Sequence, residues 1–447
     1  MSKNWVEFWT VGEYGTLFKR DQLDKSKQLG GPTLEWSYWD LARENALAYP
    51  NREAVVDTFF GTDSENRRRI TWSQFFNDIN TIVLNLHDLG IKKGDVVLTQ
   101  LNNCVELYYA LVANSKLGSL YPYIQTALGE AETKDVLKFL EPDITITHPS
   151  FAKWHLEYRQ SHPKLRDIFV VTKPNDSIPE GTRPFSDLLN PAIKAKYNEA
   201  LFWDLLKTDP LFPWEIVPTG GTTGIPKMCF HSALTWPHYH GQPIVSRCEF
   251  GPYDKLLVFG PINGGTGTTF GRIAGLLGKA CEVYLTVFSE EDACMITQEE
   301  HITKWVGIPA LMIRAATSEF FEGYDMSSLR MVCYAGAPMP KEIAAMFWAR
   351  GIKTRVVYGT SLSGGCVTTL PTDSKEECIN TQGKPHEGYD VVIVDAEGNR
   401  CSIGEAGEVL IWRPTNGYYK SIELNREAYS DEGYEPVSYT HLTLPTN

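Results

Sequence analysis

Short β-branched runs separated by helix-length amphipathic stretches fill most of this chain, and that alternation restricts it to parallel sheets covered by helices. Residues 71–101, TWSQFFNDINTIVLNLHDLGIKKGDVVLTQL, show the repeating unit. Phe75, Ile79, Ile82, Val83 and Leu86 recur at helical spacing, Gly90 stops the helix, and residues 96–101 read as a strand. Helices are expected again over 105–117 and 131–140, after which Pro142 breaks the chain and the β-branched run 143–147 forms a strand. Further strands are expected at 167–172, 255–259, 280–285, 305–308, 331–334 and 355–358. Beyond about Gly364 the texture changes to short alternating strands, VVIV from Val391 and EVLIW from Glu408, with a turn at 395–398. A small antiparallel barrel or sheet fits there.

The 447 residues, 43% of them apolar, suit two or three compact units. A formal net charge of -13 argues against a nucleic-acid groove or an anionic membrane surface, because both reward clustered Lys and Arg. Any anionic ligand must therefore be held by local groups. The start MSKNWVEFWTVGEYG has no long apolar core and no small-residue cleavage site, and no stretch reaches about 18 unbroken apolar residues. The expectation is a cytoplasmic protein with neither nucleic acid nor membrane as partner. Nine cysteines are scattered singly without a C-x-x-C pair, which suits reduced thiols and speaks against structural zinc. His238 and His240, in WPHYH, lack a third ligand at suitable spacing and read as a polar turn, so no protein metal site is expected.

Midway along the chain the strand-like Glu215, Ile216 and Val217 lead into TGGTTGIPK, residues 219–227. Gly220, Gly221 and Gly224 let the backbone turn and approach a ligand closely, while Thr219, Thr222 and Thr223 add hydroxyl donors. No Asp or Glu lies between Pro218 and His231 to repel phosphate, and Lys227 adds one mobile positive charge beyond the fixed turn of Pro226. The pieces suit a polyphosphate. They do not form a Walker A loop, since Ile225 and Pro226 separate Gly224 from Lys227. No G-x-G-x-x-G opens a helix after a strand either, which removes a Rossmann dehydrogenase. Read alone, a Gly/Thr run is an ordinary surface turn; the rest of the chain reverses that reading.

TGGTTGIPK is followed in order by YAGAP at 334–338, VYGTS at 357–361, NTQGKP at 380–385 and GEVLIWRPTNGYYK at 407–420. With these five motifs the sequence resembles the adenylate-forming acid ligases, which include acyl-CoA synthetases, aryl-acid AMP ligases and peptide-synthetase adenylation domains. The likeness runs from about residue 36 to about 434 and leans toward the aryl-acid AMP ligases. It implies an α/β core of two helix-covered, mostly parallel sheets (about 36–190 and 191–363, the second carrying the phosphate loop) and a small β-barrel subdomain at 364–434. It implies that Thr219 to Gly224 and Lys227 hold ATP phosphates, with Lys227 and Thr222 as catalytic groups. Gly336, Ala337 and Pro338 would line the adenine, Tyr358 would stack on it, and Gly359, Thr360 and Ser361 would sit near the α-phosphate. A flat apolar face with a solvated hydroxyl suits Tyr to that role.

In GPINGGTGTT, Asn263 with Gly264 and Thr268 would face the acid substrate. Amino-acid-activating relatives place an Asp at the position of Asn263, so a neutral Asn implies an acid without an α-ammonium group. The free volume beside Gly264, Gly265 and Gly267 suits a substrate bulkier than a simple benzoate, and chain reversal is the equally weighted alternative for each glycine. The implied reaction is attack of a carboxylate on the α-phosphorus of ATP with loss of pyrophosphate, then capture of the acyl adenylate by coenzyme A or a carrier-protein pantetheine. Positioning and charge neutralisation by Lys227 and Mg²⁺ carry such chemistry without a covalent protein nucleophile.

Two departures qualify that picture. Leu362 stands where the family has a Glu that helps hold magnesium, and a leucine cannot ligate a hard cation, so either the ATP phosphates and water carry the metal, another acid substitutes, or activity is weakened. After SDEGY, residues 430–434, the family continues into Tyr-Arg-Thr-Gly-Asp and a mobile C-terminal domain with a catalytic lysine. Here residues 437–447, VSYTHLTLPTN, look like a sequencing adapter translated in frame, which implies a non-native tail and an absent mobile domain. The alternative from another class is an ATP- or adenylate-binding module without turnover.

Overall fold

The structure, a computed structural model, describes residues 10–11, 17–18, 37–207, 212–219, 225–232, 234–413, 415, 417–430 and 433–437. From residue 438 onward the tail expected to be foreign lies outside the described residues, as do Gly220, Gly221, Thr222, Thr223 and Gly224 of the phosphate loop.

A nine-stranded sheet forms the larger half of the molecule. Its parallel centre runs, in spatial order, Lys353–Thr360, Met331–Ala335, Lys304–Gly307, Lys255–Phe259, Cys281–Tyr284 and Glu53–Asp57. Antiparallel strands close both edges, Arg68–Thr71 on one side and Gly364–Thr368 with Lys384–Pro385 on the other. A second, four-stranded parallel sheet holds Val97–Gln100, Ile144–Thr147, Asp167–Val170 and Arg183–Pro184. Parallel bridges Val96 to Leu120 and Thr99 to Tyr123 join it to the strands Tyr121–Pro122, Pro213–Pro218 and Met228–Ser232. The two sheets interleave along the chain: the strands at 53–57 and 68–71 belong to the large sheet, while 213–218 and 228–232 belong to the other. Near the end of the chain, where a small barrel was expected, the described residues form a three-stranded antiparallel sheet of Asp390–Val394, Glu408–Trp412 and Glu435–Pro436.

The helix Trp72–Asp88 begins at a capping box between Thr71 and Gln74 and ends just before Gly90, whose φ of 82° only glycine adopts freely. Phe75, Ile79, Ile82, Val83 and Leu86 are all fully buried, each contributing about 2 kcal/mol of apolar transfer. The next helix, Val105–Leu117, is buried along all 13 residues, as befits a helix enclosed by other elements rather than lying on the surface. Cys104 supplies no side-chain cap to it. Instead Asp57 accepts the Val105 N–H at 2.8 Å and receives Arg68, which also pairs with Glu106. Burial pushes the Asp57 carboxyl up, and Arg68 opposes that shift.

Two short π-helical turns, Leu234–Gly241 and Thr268–Ile273, pack against each other behind the large sheet. A Cβ on Gly241 would fall 2.2 Å from Ile273 Cγ2, so the first turn approaches the second only through a glycine. WPHYH is therefore not a polar turn: His238 and His240 are buried, because the turn is wedged between sheet edge and helix rather than facing water.

Candidate functional site

The parallel strands of the large sheet end side by side, Phe259 opposite Gly307, Gly307 opposite Tyr334 and Ala335 opposite Val357. Ligands of open α/β sheets bind beyond such carboxyl ends. Here the loops that follow enclose a cavity of about 330 Å³ lined by Gly336, Ala337, Pro338, Tyr358, Gly359, Thr360 and Ser361, all singled out by the sequence.

Backbone geometry explains why glycine recurs in that wall. Gly336 adopts φ +85°, and a Cβ on Gly359 would lie 1.8 Å from Gly364 O, across the hairpin that carries Tyr358. The hairpin pairs Tyr358 with Val367 and then shifts register at Gly359. Tyr358 is left half-buried with its hydroxyl pushed up to about 12 by burial. Beyond it Thr360 Oγ1 accepts the N–H groups of Leu362 and Ser363, at 3.2 and 2.8 Å, and donates to Glu435 Oε1 at 2.8 Å. Burial raises the Glu435 carboxyl to about 7. The Ser361 carbonyl accepts from His231 Nε2 at 2.9 Å, and burial holds that imidazole well below its usual range, so the ring is neutral. Leu362 is buried in the core, and its carbonyl accepts from Arg413.

The phosphate loop departs from a hairpin whose last pair is Pro218 with Met228, and Thr219 N–H donates to Lys227 O at 2.8 Å across its neck. Lys227 is exposed, with its ammonium 5.9 Å from the Tyr418 ring and no carboxylate paired to it among the described residues. A free cation at the mouth of a glycine loop fits a polyphosphate ligand. No group of three His, Cys, Asp or Glu that could hold a metal occurs among the described residues. Among the described residues, Glu435 is the carboxylate bonded to this part of the wall, through Thr360.

Asn263 and Gly264 line a second cavity of about 310 Å³, shared with Asn103, Tyr123, Thr286 and Leu311, on the other side of the 260–269 loop. Gly265 and Thr266 face the Tyr358 cavity, so one loop forms a wall of both. The alternatives for its glycines resolve separately: a Cβ on Gly267 would meet Pro261 O at 1.9 Å, which makes it a chain-reversal glycine, whereas Gly265 meets only Ser361 Oγ at 3.7 Å. Thr268 is fully buried and lines neither cavity; its hydroxyl accepts from Arg272, which pairs with Glu215 at 2.9 Å.

Sequence reasoning missed Trp236, Thr266, Thr269, Gly364 and Gly365, which line the Tyr358 cavity, and His240 behind them. The available signal was the aromatic and histidine density of WPHYHG, which read as polar only because its i→i+5 winding was not foreseen.

The family model described as AMP-binding enzyme matches residues 42–419. Enterobactin synthase component E of Escherichia coli strain K12 is 26% identical over 90% of this chain and 73% of its own length. Acyl-CoA ligase SID4 of Ajellomyces capsulatus is 24% identical over 90% of this chain and 70% of its own. Among solved structures, the anthranilate CoA ligase AuaEII in complex with anthranoyl-AMP superposes with a TM-score of 0.76 at 20% identity, covering 92% of this chain and 75% of that one. That likeness bears on the fold alone.

Proposed function

We propose, from the premise that this chain belongs to the AMP-binding enzymes, how its cavities serve the family's reaction. The chain is an AMP-forming ligase core, which activates a carboxylic acid as an acyl adenylate with release of pyrophosphate and passes the acyl group to a thiol. The observation that carries the assignment of the site is the convergence of Gly336 to Pro338, Tyr358 and Thr360 to Ser361 on one cavity.

In this reading the adenine lies between the Gly336 loop and the Tyr358 ring, which covers a purine face at the cost of little side-chain entropy. Thr219 and Lys227 approach the phosphates from the hairpin mouth, and the sequence TGGTTG assigns the same role to the glycines and threonines of 220–224. Lys227 neutralises charge that develops on the α-phosphate and leaving pyrophosphate, a contribution made by a positioned cation without proton transfer. Magnesium, when bound with ATP, adds further neutralisation through the phosphates. The acid enters beside Gly265, on the Trp236 side. Asn263 and Gly264, in the neighbouring cavity, act on the acid through the shared loop. The thiol acceptor is coenzyme A or the pantetheine of a carrier protein. Nine unpaired cysteines, eight of them buried, suit a reducing compartment, and we place the enzyme in the cytoplasm. No helix among the described residues is long and apolar enough to cross a membrane.

ATP–pyrophosphate exchange with a panel of aryl, acyl and α-amino acids tests the reading. Exchange should appear with aryl or acyl acids and fall at least tenfold in Lys227→Ala, the loss of one charged hydrogen-bonding group. Exchange that favours α-amino acids, or that is indifferent to Lys227, contradicts it.

A further inference from the structure

One buried charge pair ties the strand that leads into the phosphate loop to the turn that closes the 260–269 loop. Glu215 lies on strand Pro213–Pro218, just ahead of Thr219, between Tyr121 on one neighbouring strand and His231 on the other. Arg272 lies on the π-helical turn Thr268–Ile273. Its side chain is fully buried and that of Glu215 is 2% exposed, with Arg272 Nη2 2.9 Å from Glu215 Oε1. The same Nη2 donates to the Thr268 hydroxyl, and among the described residues the Arg272 side chain makes no other hydrogen bond. Tyr38 adds its own hydroxyl, which donates to Glu215 Oε2 at 3.3 Å.

Stability does not account for this pair. Taking a carboxylate and a guanidinium out of water costs several kcal/mol per ion, and apolar residues of similar volume in such a place are often neutral or stabilising. Burial pushes the Glu215 carboxyl up, with Arg272 and Tyr38 opposing the shift. What the pair supplies is direction. The phosphate hairpin belongs to the three-stranded sheet with Tyr121–Pro122, whereas the 260–269 loop follows strand Lys255–Phe259 of the nine-stranded sheet. Among the described residues no other hydrogen bond joins strand Pro213–Pro218 to residues 260–273. The turns Leu234–Gly241 and Thr268–Ile273 also meet, through Gly241 and Ile273, but an apolar contact is non-directional and leaves their register free. One guanidinium nitrogen shared by Glu215 and Thr268 fixes it, because charge-assisted hydrogen bonds are short and oriented.

We propose that Glu215 and Arg272 are positioning residues for adenylation: the pair sets the phosphate hairpin against the 260–269 loop, so that the acid carboxylate meets the α-phosphate of ATP in line. The inference rests on the reading that these two segments hold ATP and the acid. Neither residue lines either cavity, so each substrate keeps its own contacts when the pair is removed, and only their mutual alignment is lost. A misplacement of about 1 Å costs on the order of a hundredfold in rate. Such a loss falls on kcat rather than on KM.

ATP–pyrophosphate exchange and thermal unfolding, measured on the same variants, decide it. Glu215→Leu combined with Arg272→Met removes both charges and roughly keeps the volume, so this double variant should unfold no more than a few degrees below the unaltered chain. Its kcat for exchange should fall about tenfold or more, with KM for ATP and for the acid changed less than about threefold. Thr268→Val leaves the pair in place and removes only its bond to the loop; it should show the same split with native stability. Full exchange in the folded double variant or in Thr268→Val overturns the proposal, because the pair is then packing alone. A loss carried by KM for the acid also overturns it, since that would make these side chains substrate contacts. Should the double variant fail to fold, Thr268→Val decides by itself. Absence of exchange in the unaltered chain with every acid overturns the reading of the site, and the proposal with it.

Discussion

Glu282 offers a direct test of the electrostatics that hold the large sheet to its covering helix. The residue is fully buried on strand Cys281–Tyr284, with Oε2 accepting from the Tyr284 hydroxyl and Oε1 unpartnered among the described residues. Gly275 faces it so closely that a Cβ there would lie 1.7 Å from Oε1, so the carboxyl fills its space completely. Burial raises the carboxyl from 4.5 to about 8, with Tyr284, Tyr108 and Arg272 opposing the shift. Between those two values the folded chain holds a proton that the unfolded chain has lost, so stability falls as pH rises through the window. At about 1.4 kcal/mol per unit the total is roughly 5 kcal/mol, present in full below about pH 4.5 and lost above about pH 8. Glu282→Gln keeps the shape of the protonated side chain and removes the titration. Urea unfolding of both proteins at intervals from pH 5 to 9 measures the difference. The stability of the unaltered chain relative to the variant should drop steadily up to about pH 8 and then level off. Parallel curves across the whole range would refute the reasoning, because they would mean that Glu282 is already ionised and compensated at neutral pH.

Tyr358→Ala should weaken AMP binding by about 1–3 kcal/mol, the worth of one base stacked on an aromatic ring; calorimetry showing less than a twofold change would remove the ring from nucleotide recognition. Gly359→Ala places a methyl 1.8 Å from Gly364 O and must open the hairpin that positions Thr360 and Ser361. AMP affinity should therefore collapse while far-ultraviolet circular dichroism stays native, and retained affinity would show that the turn does not place the site. Asp57→Ala leaves the Val105 N–H without its 2.8 Å acceptor and strips Arg68 of one of its two carboxylates. A loss of roughly 3–5 kcal/mol in urea unfolding is expected for breaking a buried pair, and a loss below about 1 kcal/mol would mean that Glu106 alone satisfies the arginine.

What could be read from the sequence divides along a physical line. The helix Trp72–Asp88 and the strands feeding the Tyr358 cavity were legible because local periodicity and punctuation determine them: apolar spacing at Phe75 to Leu86, a stop at Gly90, and β-branched runs between turns. The glycine motifs were legible for a related reason, since Gly336 and Gly359 occupy backbone positions that a side chain would obstruct. Contacts between segments far apart in sequence left no such local trace. Arg272 and Glu215 meet across 57 positions, and strand Glu53–Asp57 joins Cys281–Tyr284 from far earlier in the chain. The π-helical turns posed a different obstacle. An i→i+5 bond rotates every following side chain relative to an α-helix, so GTGTTFG could not reveal that Thr269 faces the cavity while Thr268 turns away to Arg272. Asn263 was read as a substrate contact by position in a motif, and the fold brings it to the far side of its loop from Tyr358. Motif position therefore indicates which loop borders the cavities, while the winding of that loop decides which cavity each of its side chains lines.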